Sequence, residues 1–188
     1  MLEGYAPHSA EEAADRDFLL GWLELFPENC LSRDNIFGHF TSTGFVMNEA
    51  LDRCLMVYHN LRGCWSWTGG HADGDGDLLA VAVREALEET GVPARPLIPE
   101  PVLLGPLTME SHWRRGEYVS AHLHLNLTYV LIADETVPLT VKPDENSGVR
   151  WFTLPELCAA LQGSERDAAL YTRMFELAKL AAGLGRKS

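Results

Sequence analysis

Residues 69–91 read GGHADGDGDLLAVAVREALEETG, and the second half of this stretch decides how the rest is read. Leu78, Val81, Ala82 and Ala86 recur at the spacing of one buried helical face. Asp77 stands where a helix N-cap is wanted and Gly91 where a left-handed C′ residue is wanted, so the spacing predicts a helix between them. On that helix Glu85 and Glu89 lie one turn apart with Glu88 beside them. Like charges so placed repel by about 0.2–0.5 kcal/mol per pair. The plain explanation is an Arg84–Glu88 ion pair at i,i+4, with the other acids solvated. The loop in front argues for more, because Gly69 and Gly70 let a ligand approach the backbone closely. A hard divalent cation, Mg²⁺ or Mn²⁺, takes carboxylates, waters and phosphate oxygens as ligands, and would turn this repulsion into coordination.

Outward from this helix the chain alternates between both periods. Ser9 and Glu12 have capping-box spacing at the start of a helix over about residues 10–25. Its expected buried stripe is Phe18, Leu19, Trp22, Leu23 and Phe26. HFTSTGFVMN from His39 and CLMVYHN from Cys54 read as a hairpin, followed by GCWSWTGG as one short aromatic strand. VLLGPLTME and YVSAHLHLNLTYVLIAD are expected strands beyond Pro101. The second alternates, with Ala121, Leu123, Leu125 and Leu127 on one face and His122, His124, Asn126 and Thr128 on the other. GVRWFTL is a further strand, PELCAALQ a helix opened by Pro155, and residues 165–182 a longer helix. Strands around one central helix, flanked by others, imply an α+β fold, an α/β/α sandwich.

Composition narrows the partners. Twenty-seven acidic residues against fifteen basic ones give a net charge of −12, which disfavours nucleic acid and anionic membrane. A small anionic substrate stays compatible if a metal ion supplies local positive charge. The four cysteines are scattered, so no disulfide framework or zinc-ligand spacing is expected, and Cys54 and Cys158 read as small buried residues. With no leader-like or membrane-length apolar run, the expectation is a soluble, cytoplasmic chain.

From Gly70 to Val92 the sequence reads G-x5-G-x7-R-E-A-L-E-E-T-G-V. This resembles the Nudix box, G-x5-E-x7-R-E-U-x-E-E-x-G-U with U apolar. It departs at one fixed position, where Gly76 replaces the first glutamate; Asp73, Asp75 and Asp77 flank the gap and offer substitutes one methylene shorter. The resemblance extends over about residues 36–155. It implies a mixed sheet flanked by helices, with residues 1–35 as a helical extension and 36–188 as a Nudix hydrolase domain with C-terminal helices. It further implies that Glu85, Glu88 and Glu89 bind Mg²⁺ (or Mn²⁺) with the Gly70 carbonyl nearby, and that Arg84 orients the acids. Glu88, or a residue outside the box, would act as general base in water attack on a nucleotide-type diphosphate.

His71, inside the box, is a candidate substrate contact or a loop histidine without a role; His122 and His124, outside it, are candidate substrate contacts as a cleft wall, or a half-solvated sheet face. Metal ligation is their remaining alternative. Glu110 and Glu117 border a loop from which a base could come, and Trp113 with Arg114 and Arg115 could stack on a base and hold phosphate. Trp65 and Trp67 read as packing residues, and Glu145 as a distant extra acid. Two competing functions are an isopentenyl-type diphosphate isomerase and a nucleotide-binding regulator without turnover. The first expects a reactive cysteine near the box, where this chain has TGGHA; the second rests on Gly76 alone. The N-terminal helix could pair two copies in a homodimer or cap its own sheet.

Overall fold

A computed structural model describes residues 2–114, 116–161 and 164–185. In chain order its elements are α1 (Ala10–Leu25), β1 (Gly38–Met47), β2 (Arg53–His59), β3 (Cys64–Ser66) and β4 (Thr68–His71), then α2 (Leu78–Thr90) and β5 (Ala94–Pro96). After these come β6 (Leu103–Met109), β7 (His112–Arg114), β8 (Glu117–Val119), β9 (His122–Ala133), β10 (Asn146–Thr153), α3 (Leu154–Ala160) and α4 (Glu165–Gly185).

The parallel pair of β1 and β9 is the axis of an eight-stranded mixed sheet, in register from Gly38↔Leu123 to Met47↔Ile132. Strand alternation sends side chains to two faces. Phe40 and Val46 of β1 join Leu125, Leu127 and Leu131 of β9 in a core closed by Leu19 of α1 and Ala82 and Ala86 of α2. Phe45 and Met47 join Val130 and Ile132 in a second core, closed by Leu157 of α3 and Phe175 and Ala178 of α4. Helices on both faces of a mixed sheet make the α/β/α sandwich.

α2 is capped as its sequence requires. Asp77 Oδ1 accepts from Ala80 N at 3.0 Å, and Gly91, at φ 74°, closes the helix in the left-handed region. Asp77→Ala should therefore lower stability by about 1 kcal/mol in urea unfolding.

Several details differ from expectation. Phe18 is 43% exposed, because α1 packs through Leu19 with Trp22, Leu23 and Phe26 at its margin. Only half of the capping box forms: Ser9 Oγ accepts from Glu12 N, while the buried Glu12 carboxylate takes the His8 N–H, the Tyr5 hydroxyl and Arg173. The aromatic strand is two, broken at Trp67, with one piece on β2 and the other on β1. Residues 117–119 leave the long strand to pair with β7. Cys158 is half-buried rather than buried. Trp65 and Trp67 pack as expected, against Phe152 and Phe45. α1 caps its own sheet through β6. No helix among the described residues is long and apolar enough to cross a membrane.

Candidate active site

α2 lies against β1 and β4, and that contact brings the box acids to the glycine pair. Glu89 is buried, 4% exposed, and its Oε1 accepts from Gly69 N at 2.8 Å. Burial pushes its pKa up to about 8 against the pull of that N–H, and Glu85 and Glu145 add to the rise. Glu85, half-buried, is also raised, by burial first and by Glu88 next. A Cβ built on Gly70 would run into the Glu85 carboxylate, so only glycine lets this acid lie against the strand. Glu88 is the exposed member, within 3.2 Å of Lys142 Nζ and 3.9 Å of Arg84 Nε. Arg84 also reaches Asp75 at 3.4 Å and Glu85 at 4.0 Å.

Two residues that sequence reasoning passed over complete the cluster. Buried Asn146 donates Nδ2–H to the Glu89 carbonyl at 3.0 Å and accepts from Lys142 N at 3.2 Å. This ties the turn at 142–146 to the end of α2. Lys142 thereby bridges Glu88 and Glu145, and although burial pulls its pKa down, the two carboxylates raise it on balance. Glu145, a remote prospect in the sequence, thus faces the acids.

The three aspartates around Gly76 divide the work of the loop. Asp77 caps α2, Asp75 holds Arg84 and accepts from Asp77 N, and Asp73 pairs with Arg33 at 2.6 Å. Gly76 itself faces open space.

Protonation of the acids gives a direct test. The folded pKa of Glu89, about 8, exceeds its ordinary value of 4.5, so between these values the folded chain holds a proton that the unfolded chain has lost. Taken alone, this group makes stability of the metal-free protein fall as pH rises from about 4.5 to about 8, by at most about 1.4 kcal/mol per pH unit; below about pH 6.5 the histidines whose pKa burial lowers, His124 above all, work in the opposite direction. Thermal melts in chelator should show the fall between about pH 6.5 and 8, where Glu89 acts without that opposition, and Glu89→Gln should remove most of it.

The candidate histidines converge on the sheet face opposite α2. His122 and His124 of β9 and His71 of β4 are half-buried. His39 of β1, which sequence reasoning missed, is 4% exposed and sits opposite His124 in the strand register. Its ring centroid lies 5.0 Å from that of His71, 5.1 Å from His122 and 5.2 Å from His124. The signal available was its alignment two residues before Thr41, on the same face as the β9 histidines. Below them Asn126 bonds Thr41, Thr43 and Thr128 at 3.0–3.1 Å. The polar face of β9 is therefore half-buried at His122 and His124 and fully buried from Asn126 onward. Burial, then the neighbouring histidines, drives the pKa of His124 down to about 2, and burial lowers that of His39.

Trp113 is exposed on the β7–β8 hairpin against Tyr118, with Glu110 and Glu117 also exposed. Arg115 and the side chain of Arg114 lie outside the described residues.

A family profile described as NUDIX domain matches residues 38–174, so the chain belongs to the Nudix family. The enzyme class that this membership carries is hydrolysis of phosphoric anhydrides. Among curated relatives, mRNA-decapping enzyme subunit 2 of Arabidopsis thaliana is 31% identical over 135 residues, covering 66% of this chain and 32% of that protein. The asymmetrical bis(5'-nucleosyl)-tetraphosphatase of Rattus norvegicus is 29% identical over 132 residues, covering 69% of this chain and 78% of that enzyme. The chain thus spans about a third of the first relative's length. A solved NUDIX-family hydrolase from Clostridium perfringens shares the fold, with TM-score 0.57 and 18% identity over 74% of this chain and 97% of that one.

Proposed function

We propose that the protein is a metal-dependent pyrophosphohydrolase that cleaves a nucleoside diphosphate linked to another moiety, by attack of water on phosphorus. The observation that carries this reading is the desolvated pair Glu85 and Glu89 closed against Gly69 and Gly70, with Glu88 at the rim. Burial and the neighbouring acids hold both carboxyls toward the neutral form, and a bound cation would favour their ionised forms. An all-oxygen donor set of Glu85, Glu88, Glu89 and the Gly70 carbonyl suits Mg²⁺ or Mn²⁺. When bound, such an ion neutralises diphosphate charge and acidifies a coordinated water.

The chain's own residues do the rest. Arg84 and Lys142 hold Glu88 from two sides and fix its carboxylate at the rim. Glu88 accepts the proton of the attacking water as the new P–O bond forms and the anhydride P–O bond breaks. Asp75, in the glycine loop, anchors Arg84 where a complete box would carry a glutamate one residue later. The relatives' names point to substrates with nucleotides joined through phosphates. The net charge of −12 favours a small substrate over a long RNA body.

The test is phosphatase-coupled release of phosphate from nucleoside diphosphate sugars, ADP-ribose, dinucleoside polyphosphates, capped nucleotides and nucleoside triphosphates. Product mass spectra in ¹⁸O-water accompany it. The expected result is turnover of one class with a single label in a phosphate product. Binding without turnover across the panel would leave a site that holds its ligand without cutting it.

A further inference from the structure

We propose that His39, His122 and His124 form a second metal site, for a borderline divalent ion of the Zn²⁺ type. It lies on the sheet face opposite the box helix and is separate from the acidic site. One ring nitrogen from each of the three histidines lies within 4.8 Å of the others. Hydrogen bonds to backbone carbonyls set the orientation of two rings. A carbonyl only accepts, so His39 Nδ1, 3.2 Å from Asn35 O, and His122 Nδ1, 2.8 Å from Ser120 O, are the protonated nitrogens. In the neutral rings both Nε2 atoms then carry bare lone pairs.

His39 Nε2 is buried with no hydrogen-bond partner among the described residues, an uncompensated acceptor inside the protein. His122 Nε2 and His124 Nε2 are 3.2 Å apart; with His122 Nε2 bare, His124 donates Nε2–H to it in the metal-free chain, a proton that a bound ion would displace. Two nitrogens bound at 2.0–2.1 Å on a tetrahedral ion stand about 3.3 Å apart, so this pair already has ligand spacing. Imidazoles oriented through Nδ1–H to carbonyls are the usual outer support of a metal ligand. The donor set is all nitrogen, which suits Zn²⁺, Co²⁺ or Ni²⁺ and not the hard Mg²⁺. Three protein ligands leave a fourth position to water or to an anionic oxygen. His71, edge-on to His124 at 4.8 Å between ring centroids, walls that side one residue from Gly70. The substrate contact expected of these histidines would then run through an ion rather than directly.

The site does not depend on hydrolysis, and its test uses binding alone. The full chain carrying Glu85→Gln and Glu89→Gln is stripped with chelator and titrated with Co²⁺ in millimolar Mg²⁺. One Co²⁺ per chain should bind, with visible d–d bands, and Zn²⁺ should displace it. Adding His122→Asn or His124→Asn should weaken binding by more than about a hundredfold, beyond the usual cost of losing an outer-shell partner. Circular dichroism on each variant identifies any that misfolds, and half-buried His122 is the position least exposed to that risk. Absence of Co²⁺ binding in the double acid variant, or binding unchanged by His122→Asn in a folded chain, would overturn the proposal. Either result leaves Mg²⁺-dependent hydrolysis by the wild-type chain as a separate observation.

Discussion

Glu89→Gln is expected to lower kcat/KM at saturating Mg²⁺ by at least about a hundredfold, roughly 3 kcal/mol of transition-state stabilisation. The fold should survive. Glu89 is buried with Oε1 on Gly69 N, and a glutamine oxygen accepts the same hydrogen bond. With the wild-type pKa near 8, the metal-free carboxyl is already neutral at pH 7, so the amide replaces a protonated acid of the same shape. The change removes only the capacity to ionise for a cation. Steady-state kinetics together with a melting curve separate the two effects. Equal losses of stability and activity would mean that Glu89 serves packing instead.

Gly70→Ala should cost roughly ten- to a hundredfold in activity through displacement of one carboxylate. The added methyl group meets Glu85 at its carboxylate, the far end of a flexible side chain. The strand can keep its register, since Gly70 pairs with Ser42 through backbone and has no positive φ. Glu85 must swing away, so the loss should appear as a weaker Mg²⁺ dependence of turnover with little change in melting temperature. A large fall in melting temperature would place the clash in the strand.

How much of this was legible in the sequence depends on the range of the interaction that fixed each feature. α2 and its caps were readable because Asp77, the apolar stripe and Gly91 act within one helix. The same holds for the strand faces of β9, whose alternation survives in the structure, although its polar half is buried from Asn126 onward. The break at residues 120–121 was hidden because pairing with β7, a partner brought in by a hairpin, wins over a continuous β pattern. Phe18 misled because helical spacing alone does not say how wide the buried stripe is. The acids were visible as a run, whereas Lys142 and Asn146 reach them only because a turn more than fifty residues later folds back onto α2. The role of His39 was hidden for the same reason, since its alternation with Thr41 gives a strand face but only a parallel pairing with β9, 85 residues away, sets it opposite His124.

The most direct test of the central claim is the metal dependence of turnover on whichever panel substrate is cleaved fastest. The stripped wild-type chain should be inactive in chelator and regain full, saturable activity with Mg²⁺ or Mn²⁺ alone. Turnover that persists in chelator, or that returns only with Zn²⁺ and is lost in His122→Asn rather than in Glu89→Gln, would contradict it and move the chemistry from the acids to the histidines.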